Sequence, residues 1–157
     1  MKIRTQWLAT AIAAAALPSA HASPPSELCE MLRSFVESVQ PGEVREFTFR
    51  TSWGSNFKDV DEPAIAAKRC NFNGYEPAMV VCAYLAEHGS TEFAGINVKN
   101  TISCLSRETN FGPTLRLASG DFSLRYGSDD RGALIDISLQ QDEKVGGMAF
   151  QLTADGY

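Results

Sequence analysis

The stretch Cys70–Cys104, CNFNGYEPAMVVCAYLAEHGSTEFAGINVKNTISC, decides the fold of this chain. It holds three of the four cysteines and the most apolar internal helix pattern. A helix is predicted from Glu76 to His88, because Pro77 suits a first helical turn and apolar residues then recur at helical spacing. Few polar residues interrupt this segment, so the helix is expected to be buried nearly all round.

The end of the same stretch, residues 90–106, fits two patterns. Ile96, Val98 and Ile102 fall on one face of a strand, and their β-branched side chains favour a strand. Val98 and Ile102 also fall, with Leu105, on one face of a helix. We predict a strand here and keep the helix as the alternative.

The cysteines predict two disulfides. Their number is even, and they are Cys29, Cys70, Cys82 and Cys104. Long spacings without a C-x-x-C motif disfavour a zinc site or a thioredoxin-like redox pair. Three connectivities are possible, and the sequence does not choose among them.

The N-terminus has the pattern of a cleaved export signal. Lys2 and Arg4 precede an apolar, alanine-rich run from Trp7 to Leu17, and Ala20-His21-Ala22 supplies small residues at a cleavage site. The run is too short to span a bilayer, which needs roughly 20 apolar residues. We therefore predict a signal peptide at residues 1–22, a single disulfide-stapled domain at 23–157, and a periplasmic or secreted protein without membrane insertion.

The charge of the chain restricts its partners. The full chain carries a net charge of −5, and removing Lys2 and Arg4 makes it more negative. An acidic surface repels nucleic acid and is compatible with a basic protein partner, although many soluble proteins are acidic for solubility alone.

Three elements are predicted before the central stretch. A helix with apolar residues from Leu28 to Val39 ends at Pro41-Gly42. Alternation from Val44 to Thr51 predicts a strand with one buried face. Asp61-Glu62-Pro63 predicts the start of a short helix that leads towards Cys70.

After the central stretch, the sequence predicts an antiparallel meander of four strands. The first two, around Leu115–Leu117 and Phe122–Tyr126, are joined by a turn at Gly120-Asp121. The last two are residues 133–139 and 148–152. The predicted fold class is therefore α+β, with an antiparallel sheet of five or six strands, about three helices on one face and two disulfides.

Catalytic motifs are absent from the sequence. It contains no G-x-S-x-G, H-E-x-x-H, P-loop or dinucleotide-binding pattern, and His88 is the only histidine after the predicted signal peptide. His88 is explained as a favourable residue in the last turn of its helix. Asp129-Asp130 lacks the ligand pattern of an EF-hand loop. We predict no enzyme activity, no cofactor and no metal site.

Two arginines are candidate ligand contacts. If Gly120-Asp121 is the turn, Arg116 lies opposite Arg125 on the polar face of the hairpin. Like charges directly opposite each other on neighbouring strands are destabilising unless an anion lies near them. Asp136 on the next strand is the structural explanation, and the alternative is that both arginines bind a carboxylate or phosphate of a partner.

Two loops are candidate contact surfaces. The first contains Trp53 and Asn56, and the second is the glycine-bounded loop with Asp129 and Asp130. Trp53 is interpreted either as a residue at the edge of the core or as an exposed binding anchor.

These features predict an exported, non-catalytic binding protein. Its small size, acidic charge and disulfides are typical of periplasmic inhibitors and immunity proteins, which bind and neutralise another protein. The expected partner is a basic cell-wall hydrolase or toxin. The alternatives are a small periplasmic hydrolase that uses carboxylates, and an envelope protein that binds a ligand or assists assembly.

Overall fold

The computed structural model describes residues 25–157, so the predicted signal peptide at 1–22 lies outside the described residues. Three helices and five strands follow one another along the chain. In order they are α1 (Ser26–Ser38), β1 (Val44–Trp53), β2 (Ala66–Asn71), α2 (Glu76–His88), α3 (Ala94–Leu105), β3 (Gly120–Gly127), β4 (Gly132–Gln141) and β5 (Met148–Gly156).

The five strands form one antiparallel sheet in the order β2-β1-β5-β4-β3. Alternate residues of the three inner strands are fully buried, among them Phe47, Phe49, Ile135, Ile137 and Leu152. The helices cover this apolar face. The predicted α+β class, the antiparallel sheet and its cover of three helices are confirmed.

Two disulfides hold the helices in place. Cys29 is bonded to Cys104, which joins α1 to α3, and Cys70 is bonded to Cys82, which joins β2 to α2. The predicted pair of disulfides is confirmed, and their connectivity is nested, with the short loop inside the long one.

Residues 94–105 form helix α3, so the predicted strand is wrong and the alternative pattern holds. Ala94, Val98, Ile102 and Leu105 are buried on one side of the helix. The buried Asn97 amide is bonded to both backbone groups of Ser90, at 2.8 Å each, and closes the turn before the helix. Tertiary packing therefore overrides the β-branched preference.

The predicted short helix before Cys70 is also wrong. Residues 66–71 form strand β2, which pairs with β1 from Thr48–Asn71 to Trp53–Ala66. Without β2, the backbone groups along this edge of β1 would have no ladder partner. Pairing with the neighbouring strand outweighs the local helix-start signal.

The C-terminal meander has three strands instead of four. Gly120 and Asp121 begin β3 and are not a turn, and Leu115–Leu117 is not a strand. The preceding segment lies instead against α3, where the Lys99 ammonium group donates a hydrogen bond of 2.9 Å to the Leu115 carbonyl oxygen.

Helix α2 is buried on one face only. Ala78, Val81, Cys82 and Leu85 are buried, whereas Met79 and Val80 are each 43% exposed. The expectation of burial all round is therefore wrong, because no element within residues 25–157 covers the outer side of this helix. Among residues 25–157, no helix has the length and apolar character needed to cross a membrane.

Candidate binding site

The loop that joins β1 to β2 is anchored by a buried aromatic side chain. Phe57 is only 3% exposed, and the Arg69 guanidinium lies 4.7 Å from the centre of its ring. Asp59 accepts two hydrogen bonds from Arg69, at 2.7 and 3.0 Å. The hydrogen bond from Arg69 lowers the pKa of Asp59, so this carboxylate stays ionised next to its partner.

Further hydrogen bonds fix both ends of the same loop. The Asn56 amide donates to the Glu62 carbonyl at 2.7 Å and accepts from the Phe57 amide at 2.8 Å. Lys58 bonds the β4–β5 connection twice, through its backbone N–H to Val145 and its ammonium group to Glu143. Asn56, a predicted contact residue, is therefore a structural residue that holds the loop in one conformation.

Two large apolar side chains are exposed on this anchored loop. Trp53, the last residue of β1, is 55% exposed, and Ile65 is 78% exposed. They belong to the same end of the hairpin, because Trp53 pairs with Ala66 and the Gly54 amide donates to the Ile65 carbonyl at 2.8 Å. The exposure of Trp53 contradicts its interpretation as a buried core-edge residue and agrees with that of an anchor. We call residues 53–65 the hairpin tip.

The hairpin tip is acidic. It contains three carboxylates and one lysine. Asp59 is paired with Arg69, whereas Asp61 and Glu62 are exposed and form no ion pair within the described part of the chain. The apolar anchors therefore have acidic neighbours, a combination that complements a basic surface.

The structure does not bring Arg116 and Arg125 together. The predicted pairing is wrong, because Arg125 of β3 lies opposite Leu134 and Arg116 lies outside any strand, before β3 begins. Asp136 is not their counter-ion, since it accepts a hydrogen bond from Ser123. Arg125 instead lies 3.5 Å from Asp129 and packs over the ring of Tyr157.

The second predicted contact loop follows β3 and presents its acids to solvent. Asp129 has a side chain that is 95% exposed, and Asp130 is exposed too. The loop is closed by mutual hydrogen bonds between Ser128 and Arg131. It offers charge but no large apolar side chain, so the hairpin tip is the better-formed contact surface.

His88 lies in the last turn of α2, as predicted from the sequence. Its ring packs on that of Tyr84, with centres 4.6 Å apart. Within residues 25–157, no group of three metal-ligating side chains lies together.

Ile65 is a further exposed residue that the sequence pattern does not mark. This residue follows Pro63 and Ala64 in a segment assigned to a short helix, where a single isoleucine carries no periodic signal. Its role depends on the position of β2, which the local sequence does not reveal.

No family model, curated protein or solved structure matches this chain.

Proposed function

We propose that this protein is an exported, non-catalytic binding protein that neutralises a basic, cell-wall-directed protein in the periplasm. It would act as an inhibitor or immunity-type protein. The observation that carries the proposal is the exposure of Trp53 and Ile65 on a hairpin tip that is rigidly anchored and acidic.

The rigidity of the hairpin tip supports a role in binding. Ordering a flexible loop opposes association, since each immobilised side chain loses conformational entropy. Here Phe57, Lys58 and Asp59 already fix the loop in the free protein. A partner would therefore gain the contacts of Trp53 and Ile65 without ordering the loop first.

Charge supports a basic partner. The net charge of the chain is −5, and Asp61 and Glu62 are exposed on the same hairpin tip as the anchors. Long-range attraction to a basic protein raises the association rate and weakens at high ionic strength.

Export is supported by two independent features. The N-terminal residues have the composition of a signal peptide, and all four cysteines are disulfide-bonded. Structural disulfides persist in oxidising compartments such as the periplasm.

The proposal is tested with a panel of purified basic peptidoglycan hydrolases. We expect the oxidised protein to bind and inhibit at least one of them at low salt, with affinity falling as salt is added. Trp53→Ala is expected to weaken binding by about thirtyfold, as for a hot-spot residue, and Ile65→Ala should also weaken it.

Val80→Ala is the matched control, because Val80 is also an exposed apolar side chain but lies on α2. It should leave binding unchanged. The proposal fails if no hydrolase binds, or if Trp53→Ala and Val80→Ala have the same effect.

A further inference from the structure

A groove lies between the N-terminal half of α3 and residues 113–118, and Met148 of β5 also lines it. Its volume is about 510 Å³, the size of a small-molecule site. Aliphatic side chains dominate the lining, which includes Ile96, Leu115, Leu117 and Met148. Ile96 is 43% exposed and Leu115 is 45% exposed, so apolar surface is in contact with water here.

Close contacts fix the two walls of the groove relative to each other. A Cβ atom added to Gly95 would overlap the carbonyl oxygen of Leu117, so only glycine lets the two segments approach so closely. The Lys99 ammonium group fixes the same segment by its hydrogen bond to the Leu115 carbonyl oxygen. Contacts within the chain therefore fix both walls of the groove.

The charged groups of the groove favour an anion. The lining contains two cationic side chains, Lys99 and Arg116, and one carboxylate, Glu92. This excess of positive charge contrasts with the net charge of the whole chain, which is −5. Within the described part of the chain, the Arg116 guanidinium has no hydrogen bond or ion pair, so all of its donors are available.

The lining offers little to a ligand that is polar along its whole length. Apart from Glu92, Lys99 and Arg116, no lining side chain can form a hydrogen bond. A sugar, a nucleotide or a peptide would therefore bury polar groups without partners, which is unfavourable. A ligand with one anionic end and an aliphatic chain would bury no polar group without a partner.

We propose that this groove binds a single-chain amphipathic carboxylate, with the aliphatic chain along Ile96 and Leu115 and the carboxylate at Arg116. This site is independent of the proposed inhibitor function. It would give the protein a second, small-molecule ligand.

Decanoate is the probe, and decyltrimethylammonium has the same chain length with the opposite charge. Calorimetry should show saturable binding of one decanoate per chain, below the concentration at which it forms micelles. The decyltrimethylammonium ion should bind at least tenfold more weakly, because it meets Arg116. Chemical-shift changes in the amide NMR spectrum should be confined to residues 92–99 and 113–118 and to Met148.

Two variants separate the contributions of charge and apolar contact. Arg116→Gln should weaken decanoate binding by about tenfold, the loss of one charge-assisted hydrogen bond. Ile96→Glu places a carboxylate on the groove wall and should abolish binding. Arg107→Gln, an exposed arginine just after α3 and outside the groove lining, should have no effect.

Several outcomes would overturn the proposal. They are equal binding of the two probes, shift changes outside the groove, an unchanged affinity in Arg116→Gln, or tighter binding of an acetylated apolar tetrapeptide than of decanoate. Trp53→Ala should leave decanoate binding intact, so failure here is distinguishable from failure of the proposed inhibitor function.

Discussion

Arg50 of β1 lies directly opposite Arg69 of β2, on the face of the sheet that the helices do not cover. Like charges in such positions are destabilising. Each guanidinium is compensated by a carboxylate from a different loop, Asp142 at 2.8 Å for Arg50 and Asp59 at 2.7 Å for Arg69. The two arginines therefore attach two loops to the sheet.

Asp142 is expected to stabilise the fold through its charge and through its turn. One carboxylate oxygen accepts from Arg50, and the other accepts from the backbone amides of Lys144 and Val145. Asp142→Asn retains an acceptor for the turn and should cost about 1 kcal/mol, whereas Asp142→Ala should cost about 2–3 kcal/mol. Urea denaturation at neutral pH measures both. Asp129→Asn is the control, because that side chain is 95% exposed and should contribute nothing measurable.

The same carboxylate predicts a pH dependence. The hydrogen bond from Arg50 lowers the pKa of Asp142, with the Val145 amide adding to the effect. The unfolded chain therefore takes up a proton at higher pH than the folded one. The contribution to stability is complete above the ordinary aspartate pKa of about 4 and is lost as pH falls through the folded value. The stability difference between wild type and Asp142→Asn should accordingly shrink on acidification; a constant difference would contradict this assignment.

Gly95 should be required for the packing of residues 113–118. A Cβ at this position meets the Leu117 carbonyl, and backbone cannot move aside as a flexible side chain can. Gly95→Ala is expected to destabilise the protein by about 1–3 kcal/mol, as overpacking does, and to raise amide exchange in residues 113–118. Gly112→Ala is the control, since no atom lies within 4 Å of its added Cβ. Equal stability of the two variants would show that the close approach does not matter.

The two disulfides should contribute unequally to stability. Cys29 and Cys104 are separated by 75 residues, and Cys70 and Cys82 by 12. In the chain-entropy model, these loops give about 4.5 and about 3 kcal/mol. Replacing Cys29 and Cys104 by alanine should therefore lower the urea midpoint further than replacing Cys70 and Cys82. The reverse order would indicate that local strain or packing around α2 outweighs loop length.

Tyr126 should ionise only at strongly alkaline pH. Burial and the hydrogen bond to Glu37, 2.6 Å long, raise its pKa to about 12. The unfolded chain loses this proton near pH 10, so the contribution of Tyr126 to stability declines as pH rises from about 10 to 12. Glu37→Gln should lower this pKa, measured as the ultraviolet difference between each protein and its Tyr126→Phe variant. An unchanged value would mean that burial alone sets it.

Local patterns predicted the elements whose own residues form one clear apolar face. Residues 26–38, 44–53 and 76–88 are examples, and so are the strands of 132–156. Two errors offset each other in the number of helices and strands. Residues 66–71 form a strand where a helix was expected, and residues 94–105 form a helix where a strand was expected. Each depends on a distant partner, β1 for the first and α1 for the second.

The candidate site was predictable only in part. Trp53 stood out as an aromatic residue next to a glycine, but its exposure depends on the tertiary structure around the end of β1. The structural role of Asn56, whose amide forms hydrogen bonds within the loop, was not predicted, and its role as a contact residue stays a prediction. Arg116 was expected opposite Arg125 on a strand at Leu115–Leu117. That strand does not form, so the expected pairing is wrong.

The nested disulfides make the order in which cysteines pair a problem for folding. If the chain is exported from its N-terminus, as proposed above, it presents Cys29 first, then Cys70, Cys82 and finally Cys104. An oxidant that joined them in this order would link Cys29 to Cys70, a bridge absent from the native structure. Only thiol–disulfide exchange can remove such a bridge. The yield of native protein should therefore depend on a disulfide isomerase, or on Cys29 remaining reduced until Cys104 arrives.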